Sequence, residues 1–193
     1  VTRLAHSRAD VTISEPIAEN ELNLDLNRSE WVLLPVNAKR QYNKLIDKQT
    51  ILENLSEESQ YNLFTTPQEE KKYKRGIIAC GIAYNYVMEA LQDEEEKMPI
   101  IKISQYPLPI QQIKRLSELC EELIVFEDGQ PLVEEQVKSF IPDSVKISGR
   151  LTGTLPRVGE LNPDFVKKGL GYHIVEGFAK PSIVMPRPPA LCS

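Results

Sequence analysis

Few residues of this chain have a type and spacing that could carry chemistry. The side chains that titrate near neutral pH are the two histidines, His6 and His173. They lie at opposite ends of the sequence, and neither has a carboxylate at helical spacing or a serine in a nucleophile-elbow context. The sequence therefore predicts no self-contained hydrolase site.

The three cysteines, Cys80, Cys120 and Cys192, are far apart and odd in number. This spacing is typical of neither a disulfide framework nor a metal-ligand cluster, so we expect a reducing cytoplasm and no metal site. Cys80 lies in an apolar run, and Cys120 closes a predicted amphipathic helix. We expect both to be small buried hydrophobic residues rather than reactive thiols.

A second candidate is the glycine-flanked stretch from Gly76 to Gly81, which resembles the start of a phosphate loop. No Lys-Ser or Lys-Thr pair follows it, and the three-glycine spacing of a dinucleotide-binding turn is absent. We therefore expect Gly81 to serve a tight strand-to-helix turn.

Polar residues follow two of the predicted strands. Ser104 and Gln105 follow one, and Glu127, Asp128 and Gly129 follow the next. Ligands of open α/β sheets collect at this carboxyl edge of the strands, which makes these residues site candidates. The alternative, which the sequence favours, is that the two acidic residues cap a helix that begins near residue 131.

The elements that must position these residues follow a regular rhythm. Four β-branched runs, at residues 76–80, 99–103, 122–126 and 145–148, alternate with helical patterns at 82–92, 109–120 and 131–141. Strand, helix, strand at this spacing is typical of right-handed crossovers and a parallel sheet. The strand runs are nearly continuous in hydrophobicity, as expected when helices cover both faces. The sequence predicts a three-layer α/β/α fold with a mainly parallel sheet.

The remaining segments do not fit this rhythm. Residues 37–63 form a helical candidate, which Asn37 could cap, and residues 65–75 and 93–97 are expected to be solvated connections. Residues 1–36 and 151–193 are expected to be flanking linker segments. The apolar stripe of the long helical candidate consists of Tyr42, Leu45, Ile46, Leu52 and Leu55.

Composition excludes several classes of protein. The 193 residues carry a net charge of -5 and are 41% hydrophobic and 26% charged, which is ordinary for a globular domain. The acidic balance argues against a nucleic-acid partner or an anionic membrane. No apolar stretch approaches the roughly 20 residues that span a bilayer. Because the chain begins at Val1 and stops at Ser193 after a proline-rich run, we expect a piece of a longer protein.

Four stretches resemble one known family, the alpha subunit of indolepyruvate ferredoxin oxidoreductase. They are residues 1–11 (VTRLAHSRADV), 127–136 (EDGQPLVEEQ), 155–161 (LPRVGEL) and 187–192 (RPPALC). The family uses thiamine diphosphate to decarboxylate aryl pyruvates oxidatively to acyl-CoA, and iron–sulfur clusters pass the electrons to ferredoxin.

The resemblance implies a division of the chain into three parts. Residues 1–36 would end the pyrimidine-side thiamine domain, residues 37–150 would form a transketolase C-terminal-like domain, and residues 151–193 would lead into the pyrophosphate-side thiamine domain. The fragment itself would then be structural, with no catalytic residue, known cofactor-binding residue or bound cofactor. Thiamine diphosphate, magnesium and 4Fe-4S clusters would belong to the full-length enzyme. Its partners would be the other domains of the subunit, the beta subunit, ferredoxin and coenzyme A.

Two residues are carried over from the family pattern as weak candidates. His6 matches an Arg-Leu-Ala-His run and would lie near the thiamine site, although a structural hydrogen bond is the simpler role. Cys192 would be a ligand or redox residue of the full subunit, since the family motif continues into a second cysteine and a histidine beyond Ser193. Two other functions stay open: a nucleotide- or CoA-binding Rossmann-like module, and a pure subunit-interaction domain.

Overall fold

The computed structural model describes residues 10–23, 26–68, 71–175, 177 and 183. The strands are β1 Leu63–Thr65, β2 Tyr73–Cys80, β3 Ile100–Ile103, β4 Cys120–Phe126 and β5 Lys146–Ser148. The helices are α1 Arg28–Trp31, α2 Pro35–Glu57, α3 Ala83–Ala90, α4 Ile110–Leu119, α5 Leu132–Phe140 and α6 Pro163–Gly169.

The five strands form one sheet in the order β1-β3-β2-β4-β5. Strand β2 is central and pairs in parallel with β3 and β4, so that Ile78 lies beside Ile101 on one side and Val125 on the other. β5 continues the parallel ladder, and β1 is an antiparallel edge strand. The predicted mainly parallel sheet is confirmed.

Helices cover both faces of this sheet. Along β2, Ile78 and Cys80 point into a core cluster shared with α4 and α5, while Ile77 and Ala79 point into a second cluster shared with α3 and α6. Side chains alternate between the faces of a strand, so two buried clusters require two covering layers. The three-layer α/β/α arrangement is therefore confirmed.

The prediction of a solvated connection over residues 65–75 is wrong at both ends. Thr65 ends β1, and Tyr73 begins β2 and is only 8% exposed. Tyr73 pairs with Cys120 in the β2–β4 ladder, and β4 starts directly where α4 ends. The sequence did not predict this pairing, because the charged residues between β1 and β2 give no hydrophobic pattern.

The long helix also differs from its prediction. It begins at Pro35, a favourable first-turn residue, and Asn37 does not cap it but donates its side-chain amide to the Val32 carbonyl. It ends at Glu57 rather than at residue 63, because Asn62 donates to the Ser56 carbonyl and turns the chain back. Its apolar stripe stays exposed rather than joining a core.

Part of the segment after residue 150 completes the second face of the sheet. Leu155, Leu161, Val166 and Leu170 are each at most 2% exposed and pack against α3 and the sheet. The sequence did not predict α6, which Asn162 caps by accepting a hydrogen bond from the Phe165 N–H. Glycines and prolines around this short helix hide its periodicity.

Candidate functional site

The carboxyl ends of β2 and β4 lie side by side at the point where the connections diverge. The chain leaves β2 for α3 on one face of the sheet and leaves β4 for α5 on the other. In open α/β sheets such a switch point is the usual location of a ligand site. Cys80 and Gly81 stand on one side of it, and Glu127 stands on the other.

Glu127 is 5% exposed and fills the N-terminus of α5 with its carboxylate. Its two oxygens accept hydrogen bonds of 2.9 Å from the backbone N–H groups of Val133 and Glu134. Burial raises the pKa of the Glu127 carboxyl, and the two backbone donors oppose that rise. The capping interpretation of this residue is therefore the one that the structure supports.

Asp128 and Arg150 hold the following loop in place. The Asp128 carboxylate accepts a 3.1 Å hydrogen bond from the Leu161 N–H and lies 3.5 Å from the Arg150 guanidinium. Arg150 is 2% exposed and donates to the carbonyl oxygens of Glu127 and Gly159, at 3.0 and 3.1 Å. A buried guanidinium with this many acceptors stabilises a loop, which sequence reasoning missed because a single arginine leaves no periodic signal.

Ser104 and Gln105, at the end of β3, are likewise engaged within the fold. Both backbone N–H groups donate at 2.9 Å to the side-chain oxygen of Asn62, which is buried. The Gln105 side-chain oxygen accepts a 2.7 Å hydrogen bond from the Ser59 hydroxyl. These contacts attach the end of α2 to the sheet. Because β2 lies between β3 and β4, it separates Ser104 and Gln105 from Glu127 and Asp128.

The N-terminus of α4 is also filled by a carboxylate of this chain. Glu57, the last residue of α2, accepts hydrogen bonds of 2.6 and 3.3 Å from the N–H groups of Gln111 and Gln112. At the start of α3, Gly81 has φ +55° and donates its N–H to the Ile103 carbonyl. Gly81 thus serves the tight turn that the sequence predicted.

These contacts decide what the edge can bind. Phosphate sites of α/β proteins use the free N–H groups at helix N-termini, and those of α4 and α5 already bind the carboxylates of Glu57 and Glu127. Within the described ranges, no group of three or more His, Cys, Asp or Glu side chains is arranged to hold a metal ion. Among the described residues, those that follow β3 and β4 therefore do not form a diphosphate site with a magnesium ion.

The described cysteines are not nucleophiles. Cys80 and Cys120 are both buried, as predicted. Burial raises the pKa of the Cys80 thiol strongly and that of Cys120 to about 11, so both are thiols at neutral pH. His173 is exposed, and it follows α6. His6 and Cys192 lie outside the described residues.

A groove of about 530 Å³ lies away from the carboxyl edge, at the amino end of β3. Its lining is mostly apolar and includes Met88, Leu91, Met98 and Ile100, with Thr66 from the β1–β2 connection. Its lining includes none of the candidate site residues that the sequence analysis named. In the part of the chain that the structure describes, no helix has the length and hydrophobicity needed to cross a bilayer.

Comparison with known proteins identifies relatives along nearly the whole chain. Indolepyruvate oxidoreductase subunit IorA is 30% identical in Methanothermobacter marburgensis, 28% in Methanothermobacter thermautotrophicus and 29% in Archaeoglobus fulgidus. Each alignment covers 99% of this chain and 32% of the relative. No protein-family profile matches the chain.

A solved structure of 2-oxoglutarate:ferredoxin oxidoreductase from Magnetococcus marinus, with 2-oxoglutarate, coenzyme A and succinyl-CoA bound, is also similar. It is 19% identical with a TM-score of 0.43, over 61% of this chain and 21% of that one. The curated relatives confirm the resemblance carried by the four sequence stretches. The chain spans about a third of the length of the curated proteins it matches, and along that third it is a relative of the IorA subunits of indolepyruvate oxidoreductases.

Proposed function

We propose that this chain is an architectural module of the alpha subunit of an indolepyruvate ferredoxin oxidoreductase. That enzyme would oxidatively decarboxylate aryl pyruvates to acyl-CoA and pass the electrons to ferredoxin. The observation that carries the proposal is the alignment of 99% of the chain with subunits of indolepyruvate oxidoreductases. The α/β fold with its mainly parallel sheet agrees with it.

The module would leave the chemistry to other parts of a longer polypeptide. Residues 1–36 would close the pyrimidine-side thiamine domain. Residues 37–150, together with the segment up to Leu170 that packs on the sheet, would form the transketolase C-terminal-like domain, and the rest of residues 151–193 would lead into the pyrophosphate-side thiamine domain. Thiamine diphosphate, magnesium and 4Fe-4S clusters would be held outside this chain. The filled N-termini of α4 and α5 support this division, because carboxylates of the chain already bind the backbone N–H groups of the helices that follow β3 and β4.

The proposed enzyme would work in the cytoplasm with a beta subunit, ferredoxin and coenzyme A. Within the chain, His6 is the residue we would place near the thiamine site, and Cys192 is the one we would assign to a ligand or redox role in the longer protein. Neither assignment involves the residues of the carboxyl edge. A His6→Gln variant of the longer protein should keep its fold and lose activity if the first assignment holds.

The experiment that tests the proposed activity uses the longer polypeptide expressed together with its beta subunit. Reduction of methyl viologen is followed with indolepyruvate, coenzyme A and thiamine diphosphate, and 2-oxoglutarate serves as the alternative substrate. We expect reduction that requires the cofactor and prefers the aryl pyruvate. The 193-residue chain alone should reduce no viologen under the same conditions. Activity in the chain alone would contradict its architectural role.

The rival function, a nucleotide- or CoA-binding module, predicts a different result for the isolated chain. A ligand that binds the native state raises the apparent unfolding temperature in proportion to its saturation. We expect no shift with ATP, NAD or coenzyme A at millimolar concentration, because carboxylates of the chain occupy the N-termini of α4 and α5. A concentration-dependent rise with any of the three would replace our proposal with the rival.

A further inference from the structure

Helix α2 presents an apolar stripe that its own fold leaves uncovered. The helix has 23 residues and is therefore about 34 Å long, yet Ser56 is its one buried residue. The stripe residues are between 40 and 63% exposed: Tyr42, Leu45, Ile46, Leu52 and Leu55. A row of large apolar side chains along two-thirds of a helix marks a surface for association.

The spacing of the stripe is that of a helix that pairs with another helix. Tyr42, Leu45, Gln49 and Leu52 follow one another at steps of three and four residues, as the two seam positions of a heptad do. The next step along this seam reaches Ser56, which faces the sheet side of the molecule through its contact with the Gln105 carbonyl. The stripe and the attachment point of α2 to its own domain thus lie on the same side of the helix.

Charges on α2 are separated along its length. The first half of the helix is basic and the second half is acidic on balance, with Lys39, Arg40 and Lys44 in the first half and Asp47, Lys48, Glu53 and Glu57 in the second. Several of these are already engaged within the chain. Arg40 and Lys44 bind Glu30 of α1, Glu57 caps α4, and Glu53 accepts a 3.2 Å hydrogen bond from the side-chain amide of Gln49. Lys39 and Glu53 flank the apolar seam near opposite ends of the helix.

We propose that a second copy of this chain covers the stripe, with the two α2 helices paired antiparallel about a two-fold axis. A helix that is basic at one end and acidic at the other is complementary to itself only in the antiparallel direction, and a two-fold axis uses the same surface on both copies. No other occupant is selected by the charges in this way. The pairing goes beyond the proposed function, since it needs neither the family nor its cofactors.

The seam fixes the register of the pair. Tyr42 lies opposite Leu52 of the partner subunit, and Leu45 lies opposite Gln49 of the partner subunit. In this register Lys39 stands beside Glu53 of the partner subunit, twice by symmetry. The two Lys48 side chains meet near the axis and form the one like-charge pair of the interface.

The same register extends beyond the helices. The domain body is attached near the C-terminal end of each α2, so the two bodies lie at opposite ends of the pair. Leu34 and Val36, which are 55 and 73% exposed, then lie beside the body of the other copy. Tyr61 follows α2 there and is 59% exposed. Exposed apolar groups thus face each other at both ends, and they enlarge an interface that two helices alone would leave small.

The first test is the mass of the 193-residue chain in solution by sedimentation equilibrium, from about 1 to 100 µM. We expect a dimer, with twice the chain mass of 21.9 kDa, that dissociates on dilution. Leu45→Glu should weaken dimerisation at least tenfold without changing the far-UV circular dichroism of the monomer. Ile51→Glu, an exposed apolar residue of α2 outside the seam, is the matched control and should leave the dimer intact.

The second test addresses the register through charge. Lys39→Glu and Glu53→Lys should each weaken the dimer about threefold to tenfold, and the double variant should recover the original affinity. Lys48→Gln should strengthen it, because it removes the like-charge pair. A monomer at 100 µM would overturn the proposal and indicate that another domain covers the stripe. A dimer that survives Leu45→Glu, or a double charge variant that fails to recover, would overturn it as well.

Discussion

Replacing Glu127 by glutamine removes the charge that caps α5 while keeping the shape of the side chain. The carboxylate accepts two hydrogen bonds of 2.9 Å from buried backbone N–H groups. An amide has one acceptor oxygen, so one of the two N–H groups of Val133 and Glu134 loses its partner and faces the NH₂ group instead. The variant therefore loses one of the two hydrogen bonds, and in the other the acceptor is a neutral amide oxygen instead of a charged carboxylate oxygen.

The cost follows from these two changes. A hydrogen bond to a charged group contributes about 1.5–3 kcal/mol, and an unsatisfied buried donor costs about 1–3 kcal/mol. These two energies describe partly the same lost hydrogen bond, so they are not added. The variant also no longer buries a charged carboxylate, and this offsets part of the loss. We expect Glu127→Gln to lower the free energy of unfolding by about 2–3 kcal/mol. With a urea dependence of about 2 kcal/mol per molar, the unfolding midpoint should fall by about 1 M.

Urea unfolding followed by circular dichroism measures this loss, and Glu135→Gln provides the matched control. Glu135 is exposed in the first turn of the same helix, so its substitution removes only a favourable interaction with the helix dipole, at most about 1 kcal/mol. Amide exchange at Val133 and Glu134 should accelerate in the Glu127 variant alone. Equal losses in the two variants, without faster exchange, would refute the capping role of Glu127.

Three further outcomes test the described core and sheet. Burial opposes the charge of Glu122, but hydrogen bonds from Lys146 and Ser148 outweigh it and lower the pKa of this carboxyl. The stability by which the native chain exceeds Glu122→Gln should therefore be complete above pH 4.5 and shrink as the pH falls below it, as measured by urea unfolding at pH 7 and 3. An equal difference at the two pH values would contradict this. Gly76→Ala places a Cβ 2.6 Å from the Cys120 sulfur and should cost about 1–3 kcal/mol, less than half of it in a Cys120→Ala background. Iodoacetamide at pH 8 should modify Cys120 and Cys80 only after unfolding in urea, as read by peptide mass spectrometry. Labelling of either of these two cysteines in the native chain would contradict their burial.

The α/β layer could be predicted from the sequence because its signal is repetitive. The strands β2 to β5 are short runs of β-branched residues with amphipathic helices between them, and burial on both faces makes those runs continuous in hydrophobicity. The edge strand β1 escaped prediction, because a three-residue strand with one exposed face has no such pattern. Helix α6 escaped for a related reason, since it has seven residues between glycines and prolines.

The location of the carboxyl edge could be predicted from the sequence, but most of the hydrogen bonds made there could not. The positions of Glu127 and Asp128 after a strand indicated the edge, and the helix beginning near residue 131 indicated a cap. The contacts of Asn62 with Gln105 and of Arg150 with Glu127 join residues that are more than 20 positions apart in the sequence. Long-range hydrogen bonds of single polar residues have no periodicity, so they become visible only when the fold is known.

The exposure of α2 contradicts what its stripe alone suggested. Apolar residues at helical spacing predict a buried face, yet they do not say whether the covering surface belongs to the same fold. In this chain α2 is attached by its last turn, through Ser56 and Glu57, and extends beyond the sheet. The sequence therefore predicted the helix and its amphipathic face, while the structure shows that the described part of the chain leaves this face exposed.

The most direct test of the central claim is the reduction of methyl viologen by the longer polypeptide with its beta subunit, measured beside the 193-residue chain. We predict reduction that depends on indolepyruvate, coenzyme A and thiamine diphosphate in the complex, and none in the isolated chain. A complex that is folded and loaded with thiamine diphosphate but reduces no viologen with any aryl pyruvate would contradict the proposed activity.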